Sequence, residues 1–388
     1  MRPFKLERYF AQHEFKASHL LSASDCESLS VAELLQMATP ASLELWRGLR
    51  LGYTETAGHP LLRAEVAGLY EGIAADGVVI AAPEEAIFIA MQTLLAPGDH
   101  AVVVSPAYQS LYEVARHIGC GVTRWELEPV RDGWRLDLGR LERLVEGRTR
   151  MLVVNFPHNP SGHTLSRPEF EALLEFARRR GLYVFSDEMY RFLEYEPEAR
   201  LPAACDLYER GISLAGLSKA FGLPGLRVGW LATRERALVG RWLAFKDYTT
   251  ICASAPSEVL GVIALENREA ILPRNRGIVR ANLEVADRFF AEHEDGFAWL
   301  APKAGPVAFP RWLGEGAVER LCRDALDRAG VMIVPGSVFE FPGNHFRIGL
   351  GRADFPAALE RLAEHLRAVA GAGGRRAPSA GRGGGTGL

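Results

Sequence analysis

What most constrains this chain is a series of short apolar segments that alternate with helices through its middle. HAVVVS, RMLVVNF, GLYVFSDE, GISLAG and RVGWLAT are too short for ordinary helices, and most are rich in β-branched residues. Between them, PEEAIFIAMQTLL, YQSLYEVARHIG and SRPEFEALLEFARRRG read as helices. Pro83 suits a first helical turn, Ser166 an N-cap, and Gly119 and Gly181 helix ends. Strands apolar on both faces need cover on both faces. The alternation therefore predicts an α/β fold, with a mostly parallel sheet between helical layers.

The C-terminal part changes style. GPVAFPRW, GVMIVPG and HFRIGLG are short strands set between the helices VERLCRDALDRAG and FPAALERLAEHLRAVA. This reads as a smaller α+β domain made from residues 270–370 with residues 1–45, beside a large domain of residues 46–269. A long helix over about 254–290 is expected to join them. From Gly371 to Leu388 the chain is glycine-rich with almost no apolar content, which predicts a disordered tail.

Composition excludes several classes. A net charge of −3 over 388 residues gives no reason to expect a nucleic acid or an anionic membrane as partner. No apolar run approaches the roughly 18–20 residues that span a bilayer. The opening MRPFKLERYFAQHEFK is charged throughout and has no apolar signal core, so a cytoplasmic location is expected. The five cysteines, Cys26, Cys120, Cys205, Cys252 and Cys322, are scattered and never form C-x-x-C, which argues against a disulfide framework or a metal site.

In an open parallel sheet, ligands bind beyond the carboxyl ends of the strands. Four polar segments fall there: Pro106-Ala107-Tyr108 after HAVVVS, Pro157 to Gly162 after RMLVVNF, Asp187-Glu188-Met189-Tyr190 after GLYVFS, and Ser218-Lys219-Ala220 after GISLAG. One edge thus receives an aromatic ring, an amide, a carboxylate with a phenol, and a lysine. Arg227 follows eight residues after Lys219 and offers a bidentate fork for phosphate. Lysine for an aldehyde, acid for a pyridine nitrogen, donor for a ring oxygen and cation for a phosphate together suit pyridoxal 5'-phosphate (PLP).

SLAGLSKAFGLPGLRVGW, FPHNPSG and SDEMY resemble the class I/II aminotransferases of PLP fold type I, and the likeness runs from about Gly52 to Arg352. That resemblance implies a mostly parallel seven-stranded sheet in the large domain and a homodimer with composite sites. It implies that Lys219 carries the cofactor and shuttles the proton, and that Asp187 pairs with the pyridine nitrogen. Tyr190 and Asn159 would donate to the ring oxygen, Tyr108 would stack on the ring, and Arg227 would anchor the phosphate. Arg347 would grip the substrate carboxylate, with Asn159 beside it. Tyr53 would reach the phosphate of the neighbouring subunit.

Three departures stand out. Gly216 occupies a place that the family usually gives to a hydroxyl residue, although Ser218 is near. The phosphate cup reads Ala82-Pro83-Glu84, in which Pro83 has no N–H and Glu84 adds a carboxylate. The N-terminal strip carries Asp25 and Glu27, two acids that could meet a cationic substrate group or merely favour the start of SVAELLQM at Ser28 or Ser30.

The leading expectation is aminotransfer from an amino acid to a 2-oxo acid. The alternative is a PLP-dependent cyclase or eliminase acting on a hydroxyarginine-like or S-substituted amino acid. No second arginine for a dicarboxylate stands out in the sequence. An aminotransferase-like effector sensor is a third class, disfavoured by near-neutral charge and by the lack of a DNA-binding segment ahead of residue 1.

Overall fold

The computed structural model describes residues 1–131 and 133–373. Its centre is an eight-stranded sheet: β1 (Val78–Ala81), β2 (His100–Ser105), β3 (Gly121–Val130), β4 (Gly133–Leu136), β5 (Thr149–Asn155), β6 (Tyr183–Asp187), β7 (Gly211–Gly216) and β8 (Gly229–Thr233). Their order is β1-β8-β7-β6-β5-β2-β3-β4. The run β7-β6-β5-β2-β3 is parallel, β8 lies antiparallel to both β7 and β1, and β4 folds back on β3 as a hairpin. The sheet therefore has eight strands where seven were expected, with β4 the added edge.

The apolar runs are buried because both faces of the sheet are covered. Val103, Val153 and Phe185 pack with the helices Pro83–Leu94, Ser110–Ile118 and Arg236–Lys246. Their chain neighbours Val102, Leu152 and Val184 pack on the other face, with Phe170, Leu173 and Leu174 of the helix Arg167–Arg180. This is the period of two expected of a strand with no wet face. Ser166 caps its helix with Glu169 in a reciprocal box, and Gly181 closes it at φ 65°.

Two shorter sheets gather the C-terminal strands. Val307–Ala308, Phe346–Gly349 and Val334–Pro335 form one, and Arg311–Trp312 pairs with Phe297–Ala298 in the other. The expected single helix over 254–290 is two, Ala255–Glu266 and Arg268–Glu292, which meet at Asn267. There the Asn267 side chain donates to Ile263 O at 2.8 Å, and Pro273 inside the second helix lacks an N–H to bond backward. Of the expected tail, residues 371–373 instead continue the last helix, Phe355–Gly373, and residues 374–388 lie outside the described residues. Among the described residues no helix is long and apolar enough to cross a membrane, and no cluster of metal-binding side chains occurs.

The glycine at position 216 has a steric cause. A Cβ there would stand 2.9 Å from Gly229 Cα and 3.0 Å from Val228 O, both backbone atoms of the antiparallel neighbour. A Cβ on Gly229 would in turn meet the Pro83 ring at 2.9 Å. The closely approaching β7–β8 pair leaves no room for a hydroxyl side chain at this point. Gly216→Ser should therefore destabilise the protein by about 1–3 kcal/mol, read as a lower denaturant midpoint, rather than strengthen cofactor retention.

Candidate active site

Six adjacent strands deliver side chains to one edge of the sheet. Pro83 and Glu84 follow β1, Arg227 precedes the reversed β8, and Ser218 and Lys219 follow β7. Asp187 ends β6, Asn155 ends β5, and Tyr108 follows β2. Beyond this edge lies a cavity of about 610 Å³ lined by all of these residues, together with Tyr190, Asn159, Asp25 and Arg347. Arg347 arrives from the strand Phe346–Gly349 of the smaller sheet.

The charges are held out of water with few partners. Asp187 is 6% exposed, and its carboxylate accepts one backbone hydrogen bond, from Met189 N–H at 3.1 Å. Burial pushes its pKa up to about 7. Lys219 donates to Ser24 Oγ at 2.9 Å; burial lowers its proton affinity, and nearby Asp25 opposes that effect. Arg347 is 1% exposed and donates to Asn159 Oδ1 at 3.1 Å and to Ser22 O at 3.0 Å, while its Nε has no partner. Tyr190 Oη and Ser218 Oγ are likewise buried without partners. Glu84 rises to about 7, first through burial, with Ser110 Oγ donating to it at 3.2 Å. Its carboxylate is open to the cavity, so solvent there screens its charge.

Loops beneath the cavity are fixed by Asn155, at its wall, and by His158, which does not line it. Asn155 accepts from Asn159 N–H at 2.7 Å and donates to Asp187 O at 2.9 Å, tying β5 to β6. Buried His158 bridges Ser161 Oγ and Pro106 O, each at 2.7 Å.

Two candidates from the sequence lie elsewhere. Glu27 does not line the cavity; its carboxylate accepts the backbone N–H of Ala353 at 2.9 Å. Tyr53 is 90% exposed and is not among the cavity residues. Asp25 does line the cavity, but Arg352 donates to both of its oxygens at 3.1 and 2.9 Å. The helix after this strip starts at Ser30, which forms a capping box with Glu33. Sequence reasoning missed the cavity's roof: Phe4, Glu7, Phe10 and Glu14, on or flanking the helix Lys5–His13. Their spacing of three and four residues, one face of a helix, was the available signal.

The sequence profile of aminotransferase class I and II matches residues 20–366. The chain belongs to that family. It is 32% identical to capreomycidine synthase of Streptomyces vinaceus over 93% of each protein. It is 31% identical to an aspartate aminotransferase of Thermococcus kodakarensis, covering 84% of this chain and 83% of that one. Among solved structures, a PLP-dependent aminotransferase from Streptococcus suis superposes with a TM-score of 0.88 at 30% identity, over 95% of this chain and 98% of that one. The PLP-dependent cyclase OrfR superposes at 0.87 with 31% identity and the same coverage.

This aminotransferase-family chain is an enzyme, and its cofactor is pyridoxal 5'-phosphate. The cavity fits that group. A buried carboxylate with one backbone hydrogen bond and no ion pair among the described residues, an unpaired phenol and an unpaired hydroxyl line the cavity with Lys219, the set that a pyridine nitrogen, a ring oxygen and a phosphate would satisfy.

Asp187 sets a pH dependence for the cofactor-free protein. Its folded pKa, about 7, lies above the ordinary 3.8. Its favourable contribution is therefore complete below the ordinary carboxylate value and is lost as pH rises through about 7. The melting temperature of cofactor-free protein should fall across that interval. Asp187→Asn should flatten the slope, and so should saturating cofactor, whose pyridinium pairs with the charge. A wild-type slope unchanged by Asp187→Asn would contradict this account.

Proposed function

We propose that the chain is an aminotransferase that moves the amino group of an α-amino acid to a 2-oxo acid. The observation that carries this reading is the convergence of Lys219, Asp187, Tyr190 and Arg347 on one cavity. When bound, pyridoxal phosphate supplies an aldehyde that takes up an amine and a ring that withdraws electrons. Lys219 Nζ would hold that aldehyde and would move the substrate's α-proton; burial, by lowering its proton affinity, suits it to act as a base. Asp187 would hold positive charge on the ring nitrogen. Tyr190 Oη and the Asn159 amide N–H₂ would donate to the ring oxygen, and Tyr108 would cover the ring. Arg227 and Ser218 Oγ would hold the phosphate, with the first turn of the helix Pro83–Leu94, including Glu84, beside it. Arg347 would clamp the substrate carboxylate with Asn159 as its neighbour. The first 45 residues and residues 270–370 form the small domain of this reading, and the enzyme works in the cytoplasm.

Borohydride should fix the cofactor to Lys219 in wild type and not in Lys219→Ala, and that variant should lose about 10²–10⁴-fold in rate. Amino acid alone should bleach the cofactor's visible absorbance in a single turnover, and a 2-oxo acid should restore it. The second reading, cyclisation or elimination, draws on the likeness to capreomycidine synthase and OrfR. Continuous turnover of a hydroxylated or S-substituted amino acid, with no 2-oxo acid and no bleaching, would establish it instead.

The active unit is a homodimer with composite sites. Leu51, Tyr53 and Tyr248 are each 86–90% exposed on the single chain. Tyr53 crosses to the partner's phosphate. The enzyme should sediment as a dimer at micromolar concentration, and Tyr53→Phe should weaken cofactor retention about tenfold, the loss of one charge-assisted bond. A monomer with full cofactor occupancy contradicts this arrangement.

A further inference from the structure

We infer that Glu14, with Glu7 beside it, selects substrates whose side chain ends in a cation, a guanidinium or ammonium group. The inference rests on the amino-acid reading above and names the substrate class for that site.

The helix Lys5–His13 roofs the cavity, with Phe4, Glu7, Phe10 and Glu14 on its inner face. The two rings supply apolar cover for a side-chain stem, and the two acids supply charge. The other charges of the cavity each have a use. Arg347, almost fully buried with Nε unpartnered, is free for the substrate carboxylate. Arg227 stands at the phosphate end. Arg352 is closed by both oxygens of Asp25. Asp187 belongs to the ring nitrogen, and Glu84 sits in the first turn of the Pro83–Leu94 helix.

Two acids remain. Glu7 accepts a single hydroxyl, Tyr108 Oη at 2.8 Å. Glu14 has no side-chain hydrogen bond or ion pair among the described residues, although it is half-buried. It lines the same cavity as Lys219, Asp25, Glu7 and Arg352. Burial, then Asp25 and Glu7, raise its proton affinity, and Arg352 and Lys219 offset this only in part. A cationic side-chain tip would supply further positive charge. A dicarboxylate would have to displace Asp25 from Arg352 and lie against Glu7 and Glu14. The acids the sequence had offered for this role, Asp25 and Glu27, are already engaged, by Arg352 and by Ala353 N–H.

The test is the rate at which arginine, ornithine, leucine and aspartate each bleach the holoenzyme's cofactor absorbance. Wild type should react best with arginine or ornithine. Glu14→Gln should cut the ratio of kcat/KM for the basic amino acid to that for leucine by about tenfold to a hundredfold, mainly through KM. Glu14→Lys should raise aspartate relative to arginine. If Glu14→Gln fails to fold or to keep its cofactor, Glu7→Gln is judged by the same ratio and should also lower it. Wild type reacting best with leucine or aspartate overturns the inference, as does a ratio left unchanged in Glu14→Gln. A wild type whose cofactor no amino acid perturbs overturns the functional reading itself.

Discussion

The structure depends on charges buried without counterions. Asp187 and Arg347 are both almost fully enclosed, and neither has an ion-pair partner among the described residues. Backbone and amide groups satisfy them only in part. Holding such groups out of water costs several kcal/mol each unless something pairs with them. On the proposed function, their partners would come from outside the chain: a cationic ring nitrogen for Asp187 and a carboxylate for Arg347. The same electrostatic demand explains the depressed proton affinity of Lys219 and the raised one of Asp187, both caused first by burial.

Sheet topology makes that concentration of charge possible. Parallel strands all end at the same edge, so β2, β5, β6 and β7 present their following loops side by side. The reversed β8 contributes from its beginning instead, which is why Arg227, eight residues after Lys219, returns to the same edge rather than to the opposite one. The close β7–β8 contact that brings it there requires Gly216 and Gly229, and Pro83 packs into the space left at Gly229. Two unusual features of the phosphate region, the missing hydroxyl and the proline, thus belong to one packing solution. Unpaired Ser218 Oγ stands in the same cavity.

The parts of the fold legible in sequence were those with strong local signals. Five of the eight strands are β-rich apolar runs bounded by turns. β1 and β4 are four residues each, and β3 is a half-polar strand between β2 and the edge strand β4, so their patterns are weak. The site residues on the loops after the strands were legible because a parallel sheet converts sequence position into spatial position. Arg352 was not, because its place beside Asp25 depends on how distant segments meet, some 327 residues apart in sequence. Glu27 was misread for the same reason: its carboxylate accepts the backbone N–H of Ala353, 326 residues away in sequence, on the segment packed against it.

The roof over the cavity is held differently from its floor. The floor rests on the sheet's apolar core, whereas the N-terminal helix buries only Leu6 fully and is fixed largely by polar bonds. Arg2 and Lys5 donate to Glu340 at 3.2 and 3.1 Å, and Arg124 also pairs with it. Arg2 further engages Glu113 through its backbone N–H and two guanidinium nitrogens, at 2.7–2.8 Å. Gln109 bonds the backbone on either side of Phe4, and Tyr9 Oη reaches Ile333 O. These bonds run to both sheets, so the helix spans the large sheet and the smaller one that carries Arg347. Individually, half-exposed ion pairs stabilise little, and salt screens them. Leu6, with the partly buried Phe4, Tyr9 and Phe10, adds apolar contact, yet a roof held this way opens at lower cost than the fully buried sheet. The carboxylates that meet a substrate's side chain therefore ride on the element able to admit it, while Lys219 and Asp187 stay fixed on the rigid strands beneath.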